Sequence, residues 1–239
     1  MNDFQEHFSN PQSVANYLEG PPRAVPGYQG LLQMTRLLIA ERVPNPARLL
    51  ILGAGGGLEM RAFAEAHPDW TFDGVDPSAE MLDLAKETMG PYATRARLHH
   101  GLIDDAPGSA EGADASFDAG TCLLTLHFLP PEERQRTLAE VRRRLKPGAP
   151  FVAAHLSVPQ GNSGDDDRTE RELWLARYAA YVTASGTDPD SAEQARAAID
   201  THLHLLAPEE DEAILRAAGF SKVTPFYVGF AFRAWVGYA

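Results

Sequence analysis

The amino-acid sequence predicts an α/β fold in which a mostly parallel β-sheet is covered by helices on both faces. Short apolar runs bounded by proline or glycine, such as residues 48–52, are typical of buried parallel strands. Longer amphipathic segments, such as residues 58–67, alternate with these runs, and this alternation indicates βαβ units. The 239 residues fit a single domain of this kind.

The predicted elements follow one another in a regular order. The first 46 residues are predicted to be helical but interrupted, because Pro21, Pro22 and Pro26 precede an apolar helix near residues 31–39. The predicted strands are residues 48–52, 70–75, 96–100, 117–124 and 151–156, with helices at 58–67, 77–89 and 130–145 between them. Residues 47–157 therefore form the predicted core.

The pattern changes after the fifth strand. Residues 159–168, rich in Gly, Asn, Ser and Asp, are predicted to be a loop, and residues 170–185 and 192–206 are predicted to be helices. Because these helices are too long for a simple crossover, residues 158–206 are interpreted as a helical lid beside the site. Residues 207–239 supply a helix at 208–217 and a terminal antiparallel hairpin of residues 223–228 and 230–238 around Gly229.

The net charge of −12 disfavours a nucleic-acid partner, because an acidic chain repels polyanions at long range. One basic group stands out against this background. We interpret it as the solvated end of a helix, where cations favour the helix C-terminus. Its members are Arg136, Arg142, Arg143, Arg144 and Lys146.

Cysteine content and hydropathy indicate where in the cell the protein is expected. Cys122 is the only cysteine, which suits a reducing compartment. The sequence has neither a run of 18 apolar residues nor a basic start followed by an apolar stretch. We therefore expect no membrane span, no signal peptide and a cytoplasmic location. His202 and His204 point in different directions on a helix, so no metal site is predicted.

A glycine-rich turn, residues 53–57, joins the first predicted strand to a helix. Glycines permit positive φ angles and close approach of a ligand, and the helix N-terminus adds the positive end of a dipole. A dinucleotide site needs G-x-G-x-x-G, but Leu58 stands at the third glycine position, which disfavours a nicotinamide oxidoreductase. A tight turn without a ligand, in a cofactor-free interaction protein, is the other alternative.

Asp76 ends the second predicted strand. A carboxylate at this position can accept hydrogen bonds from both hydroxyls of a ribose. Asp76 can also serve as the N-cap of the next helix, because Asp followed by Pro has suitable capping chemistry, and the two roles can coexist. Pro77 and Met81 follow as candidate apolar walls for an adenine ring.

These segments together resemble the class I S-adenosylmethionine-dependent methyltransferases, which have a Rossmann-like fold. The landmarks occur in the family's order: the G-x-G-x-G turn, Asp76, Phe117-Asp118, Leu126-His127-Phe128-Leu129, Leu145-Lys146-Pro147-Gly148, and Leu215 to Phe220. The resemblance implies S-adenosylmethionine as cofactor and methyl transfer to an acceptor, which we expect to be a small molecule. The implied cofactor-binding residues are Gly53, Ala54, Gly55, Gly57, Asp76, Pro77, Met81, Ile103, Asp104 and Leu124.

Two positions depart from the family pattern. Ile51 and Leu102 stand where the family usually has acidic residues that hold the amino groups of the methionine part and of adenine. Glu59 and Asp104 are candidate substitutes. A degenerate homologue that binds the cofactor without catalysis is therefore a further alternative.

Val25-Pro26-Gly27-Tyr28 resembles the subgroup of the tRNA wobble-uridine carboxymethyltransferase. That enzyme uses a carboxylated cofactor and pairs its extra carboxylate with an arginine on a late helix. Arg196 lies near the matching place, so carboxymethyl transfer to tRNA is the first alternative function. The competing interpretation of Arg196 is an exposed residue of a lid helix.

Catalysis of methyl transfer requires alignment of the acceptor with the methyl group, and a general base only where the acceptor loses a proton. His127, His155 and Tyr28 are the candidate catalytic residues, and Tyr178 is a further candidate. His127 follows the fourth strand and His155 ends the fifth, at the edge where ligands bind α/β sheets. A monomer or a homodimer is expected.

Overall fold

The computed structural model describes residues 10–108, 116–161 and 169–239. The strands are β1 (Ala47–Leu52), β2 (Trp70–Asp76), β3 (Ala96–His100), β4 (Ala119–Leu123), β5 (Pro150–Leu156), β6 (Ser221–Gly229) and β7 (Phe232–Tyr238). The α-helices are α1 (Pro11–Asn16), α2 (Gly20–Ala24), α3 (Tyr28–Ala40), α4 (Leu58–Ala66), α5 (Ala79–Met89), α6 (Pro131–Arg144), α7 (Glu170–Ala184), α8 (Pro189–His202) and α9 (Pro208–Ala217). Short 3₁₀ helices include Tyr17–Glu19, Ile103–Asp105 and Leu126–Phe128.

The seven strands form one sheet in the order β3-β2-β1-β4-β5-β7-β6. Strands β1 to β5 run parallel, whereas β7 pairs antiparallel with both β5 and β6. The predicted mostly parallel sheet with a terminal antiparallel hairpin is confirmed. The strand order reverses between β1 and β4, and such a switch point opens a crevice at the carboxyl ends of the strands.

Helices bury apolar side chains against both faces of the sheet. One face carries α3, α4, α5 and α7, through side chains such as Leu31, Phe63 and Leu175. The other carries α6 and α9, through Leu138 and Leu215. Strands covered on both faces are uniformly apolar, which explains why β4 and β5 are buried along their whole length. No helix in the described ranges is long and apolar enough to cross a bilayer.

Several predicted boundaries shift in the structure. Strand β4 begins at Ala119, because Phe117 makes only an isolated bridge to Leu145. The turn of the terminal hairpin lies at residues 230–231 and not at Gly229, and Phe230 adopts a φ of 51° there. Helix α8 begins at Pro189, since the Asp188 side chain accepts a hydrogen bond from the amide of Ser191. Of the predicted loop, residues 162–168 lie outside the described residues.

Candidate functional site

A cavity of about 380 Å³ opens at the carboxyl ends of β1, β2 and β4, where the strand order reverses. Apolar side chains dominate its wall, as is usual for small-molecule sites. The lining residues are Tyr17, Leu52, Gly53, Gly55, Val75, Asp76, Pro77, Ser78, Met81, Gly101, Leu102, Ile103, Leu123, Leu124, Thr125, Phe128, Leu129, Glu133 and Thr137. Seven of the ten residues predicted to bind the cofactor are among them. The other three, Ala54, Gly57 and Asp104, are not.

The glycine turn is folded against its neighbours so closely that side chains are excluded. Gly53, Gly55 and Gly57 have φ angles of 73°, 48° and 80°. A Cβ at Gly53 would lie 2.0 Å from the hydroxyl oxygen of Thr125, and a Cβ at Gly57 would lie 2.8 Å from the Cα of Ala85. Gly57 therefore serves the packing of α4 on α5, whereas Gly53 and Gly55 face the cavity.

Asp76 fixes the turn and also faces the cavity. Its Oδ2 accepts a hydrogen bond from the amide of Gly55 at 2.9 Å, and its Oδ1 accepts one from the amide of Ser78 at 2.9 Å. Burial raises the pKa of the Asp76 carboxyl, and these two amides oppose that effect. An ionised carboxylate has about four acceptor positions, so both oxygens keep capacity for a ligand.

The N-cap of α5 is Ser78, whose side chain accepts a hydrogen bond from the amide of Met81 at 3.1 Å. The interpretation of Asp76 as that N-cap is therefore wrong. The Asp76 carboxylate instead spans from the glycine turn to the residue that caps the helix.

Tyr17 lines the cavity from the N-terminal segment and is not among the residues predicted from the sequence. A Cβ at Gly55 would lie 2.8 Å from its hydroxyl, and one at Gly56 would lie 2.6 Å from its ring. The phenol thus lies directly on the glycine turn. No local sequence pattern marks Tyr17, because its contact with residues 55 and 56 is made only by folding.

The end of β4 contributes a strained backbone position to the cavity. Leu124, predicted as a cofactor-binding residue, adopts a φ of 60°, which is unusual for a residue other than glycine. Thr125 follows it and donates its hydroxyl to the carbonyl oxygen of Leu123 at 3.1 Å. Strained residues of this kind cluster at ligand sites.

The opposite wall comes from the segment after β3. Leu102 and Ile103 line the cavity, and the amide of Leu102 donates to Asp105 at 2.9 Å. Asp104 instead points to the rim, where it pairs with Arg136 at 3.0 Å and its side chain is 58% exposed. Its predicted contact with adenine therefore has no support in this geometry.

Comparison with known proteins identifies the family. Residues 49–148 match the model of a methyltransferase domain. The chain is 29% identical to a carboxy-S-adenosyl-L-methionine synthase of Chromohalobacter salexigens, over 90% of this chain and 77% of that protein. It is 31% identical to a protein of the same name from Ectopseudomonas mendocina, over 86% and 81% of the two chains. The chain belongs to the class I S-adenosylmethionine-dependent methyltransferases.

The fold of a solved methyltransferase agrees with this assignment. Human N-acetylserotonin methyltransferase in complex with S-adenosylmethionine superposes with a TM-score of 0.61 at 13% identity. The superposition covers 98% of this chain and 58% of that one, so the present chain spans little more than half of the longer protein. S-adenosylmethionine is the cofactor of this methyltransferase, as predicted. A cavity with a carboxylate among apolar walls, beside a turn that tolerates no Cβ, fits an adenosyl group.

The three predicted catalytic residues do not line the cavity. His127 lies behind the wall, in the 3₁₀ turn Leu126–Phe128, where its Nδ1 accepts the amide of Leu156 at 3.2 Å. The pKa of its imidazole is well below the usual value because of burial and of nearby His155 and Arg134. A neutral ring that accepts at Nδ1 carries its proton on Nε2 and has no second acceptor for another proton.

His155 and Tyr28 are also buried. The Nε2 of His155 lies 3.1 Å from Asp211, which in turn makes a buried ion pair with Arg134. Burial opposes ionisation of Asp211, yet His155 and Arg134 hold the pKa of its carboxyl below the usual value. Burial also raises the pKa of Tyr28. These contacts describe packing, and catalysis by the three residues stays a prediction.

The predicted lid helices α7 and α8 pack on each other and contribute no residue to the described cavity wall. The segment that covers the glycine turn is instead the N-terminal one, through Tyr17. Arg196 on α8 pairs with Glu193 of the same helix at 2.5 Å. The role of residues 158–206 as a lid stays a prediction.

The Val25–Tyr28 segment has a clear packing role. The hydroxyl of Tyr227 on β6 donates to the carbonyl oxygen of Pro26, and Gly27 takes a φ of 66° before α3 begins. This contact ties the N-terminal segment to the terminal hairpin, which holds the covering segment over the sheet.

Proposed function

We propose that the chain transfers the methyl group of S-adenosylmethionine, bound in this cavity, to a neutral small-molecule acceptor. The observation that carries the proposal is the chemistry of the wall. Among the described lining residues, Asp76 and Glu133 are the charged groups, and there is no lysine, arginine or histidine. An anionic acceptor would find no cationic side chain among these residues, and an unpaired charge is costly to bury.

Different lining residues contact different parts of the cofactor. The Asp76 carboxylate accepts hydrogen bonds from the ribose hydroxyls, and the backbone at Gly53 and Gly55 allows close approach. Leu102 and Ile103 provide apolar walls for adenine, together with Pro77 and Met81. The cofactor supplies a methyl group activated by a sulfonium centre. The chain supplies orientation and exclusion of water, and such positioning can contribute about 7–11 kcal/mol.

The acidic surface agrees with a small acceptor. Four of the five cations predicted from sequence pair with local carboxylates: Arg136 with Glu133, Arg143 and Arg144 with Glu140, and Lys146 with Asp118. Most of this basic group is therefore already engaged within the protein. With a net charge of −12, this surface disfavours tRNA.

The experiment is a transfer assay with a panel of matched neutral and anionic acceptors, read as formation of S-adenosylhomocysteine. We expect turnover with neutral acceptors and its loss in Asp76→Ala, while Asp83→Ala, an exposed change on α5, retains it. A consistent preference for anionic acceptors would contradict the proposal. Absence of any thermal stabilisation by S-adenosylhomocysteine would contradict the assignment of the cavity itself, since ligand at 100 times its Kd adds about 2.7 kcal/mol.

A second candidate function is synthesis of the carboxylated cofactor. The two relatives described above are named for this activity, and this chain aligns with 77% and 81% of their lengths. Arg196 is the residue that could hold an added carboxylate, but its pairing with Glu193 argues for a surface role. Mass spectrometry of the products formed from S-adenosylmethionine, with a panel of methyl acceptors and of carboxyl donors, separates the candidates. Formation of a carboxylated S-adenosylmethionine that requires a carboxyl donor would favour this second function, and formation of S-adenosylhomocysteine without any carboxylated product would contradict it.

A further inference from the structure

A buried carboxyl group near the cavity wall has one oxygen atom without a hydrogen-bond partner among the described residues. Glu59 is in the first turn of α4, immediately after the glycine turn, and is 7% exposed. Its Oε1 atom is buried and accepts no hydrogen bond from any described residue. Burial raises the pKa of Glu59 to about 7, against the opposing effect of the Thr121 hydroxyl.

Among the residues that the structure describes, none of those interacting with Glu59 is a cation. The described ion pairs do not include Glu59, and the groups that interact with it are Thr121, Cys122, Tyr17 and Tyr28. Burial raises the pKa of the two phenols and of the thiol, so all three are neutral. A buried carboxylate is tolerated when a cation accompanies it, and here the protein does not supply one.

Glu59 lies next to a residue of the cavity wall. It raises the pKa of Tyr17, whose ring lines the cavity and covers Gly55. Thr121, its other neighbour, is paired in parallel register with Ile51, so Thr121 and Ile51 share one face of the sheet. Glu59 is not itself among the lining residues, but it follows the glycine turn directly and neighbours Tyr17, which lines the cavity, on the face of the sheet where the side chain of Ile51 is apolar.

We propose that Glu59 binds the α-ammonium group of the cofactor's methionyl part, beneath the ring of Tyr17. The proposal rests on the binding of S-adenosylmethionine in this cavity. Ionised Glu59 accepts a charge-assisted hydrogen bond from the ammonium group, and the carboxyl proton leaves to solvent when the ligand binds. A ligand without the ammonium group leaves Glu59 protonated.

The test compares two ligands that share the adenosine and thioether parts. S-adenosylhomocysteine carries the ammonium group and 5′-methylthioadenosine lacks the whole amino-acid part. We measure the binding of both by calorimetry in wild type, in Glu59→Gln and in Glu65→Gln, an exposed change on the same helix. Glu59→Gln weakens the binding of S-adenosylhomocysteine by about tenfold or more and leaves the binding of 5′-methylthioadenosine unchanged. Glu65→Gln changes the binding of neither ligand.

The outcomes separate this inference from the proposed function. Unchanged binding of S-adenosylhomocysteine in Glu59→Gln, or an equal loss for both ligands, overturns the role of Glu59. Failure of wild type to bind either ligand overturns the assignment of the cavity, and the role of Glu59 with it.

A measurement on the wild-type protein covers the case in which Glu59→Gln does not fold. Calorimetry at about pH 6.5, in two buffers of different ionisation enthalpy, counts the protons released on binding. S-adenosylhomocysteine releases protons and 5′-methylthioadenosine does not. The phenols and the thiol near Glu59 are already neutral, and Asp76 is expected to meet the ribose of both ligands equally. Equal proton release by the two ligands overturns the proposal.

Discussion

The buried carboxyl group of Glu59 makes the stability of the ligand-free protein depend on pH. Its pKa is raised from 4.5 to about 7. Each unit of pKa difference between folded and unfolded states is worth about 1.4 kcal/mol, so ionisation of Glu59 costs the folded state on the order of 3 kcal/mol.

The sign of the effect follows from proton binding. The folded chain holds the Glu59 proton more tightly than the unfolded chain, so this contribution to stability is complete below the unfolded pKa of 4.5 and is lost as the pH rises through about 7. About 2 kcal/mol of the loss falls between roughly pH 5.5 and pH 8.5, because the unfolded chain is already ionised at the lower value. Glu59→Gln removes this loss.

Urea unfolding of wild type and Glu59→Gln at the two pH values measures the difference. We expect wild type to lose about 2 kcal/mol more than the variant between them, with unchanged m values. Glu65→Gln, which alters an exposed pair with Arg61, should behave as wild type. Equal pH dependence in wild type and Glu59→Gln would refute the buried, unpaired state of this carboxyl.

Three further predictions follow from other contacts. Asp76→Ala should weaken the binding of S-adenosylhomocysteine by about 1.5–3 kcal/mol in calorimetry, which is the range for hydrogen bonds to a charged group. An unchanged Kd in the folded variant would show that Asp76 does not belong to the site. Gly57→Ala should destabilise the fold by about 1–3 kcal/mol in urea unfolding, because its Cβ would meet the backbone of α5. Gly27→Ala is the matched control, because Gly27 shares the left-handed backbone conformation but nothing lies within 4 Å of its Cβ, and equal losses would contradict the packing argument. Arg134→Met should cost about 3–5 kcal/mol in urea unfolding, because buried Asp211 loses its guanidinium partner and keeps only His155, and a loss below 1 kcal/mol would show that the pair is dispensable.

The sequence alone determined the order and type of most core elements and the cofactor family. Buried parallel strands require continuous apolar runs, and a turn between strand and helix that meets a ligand requires glycines, so both leave local patterns. Such patterns occur at residues 48–52, the first strand, and at residues 53–57, the glycine turn. The position of Asp76 at the end of its strand was also visible in the sequence.

Only the tertiary structure decided which polar side chains meet at the cavity. Tyr17 reaches the glycine turn from a segment without a distinguishing local pattern. One oxygen of Glu59 has no described hydrogen-bond partner, and the neighbours that decide this come from β4 and the N-terminal segment. His127 and His155, placed at strand ends by the sequence, turn into a buried network behind the wall. The physical reason is that burial and the pairing of charges depend on contacts between distant segments, which local periodicity does not encode.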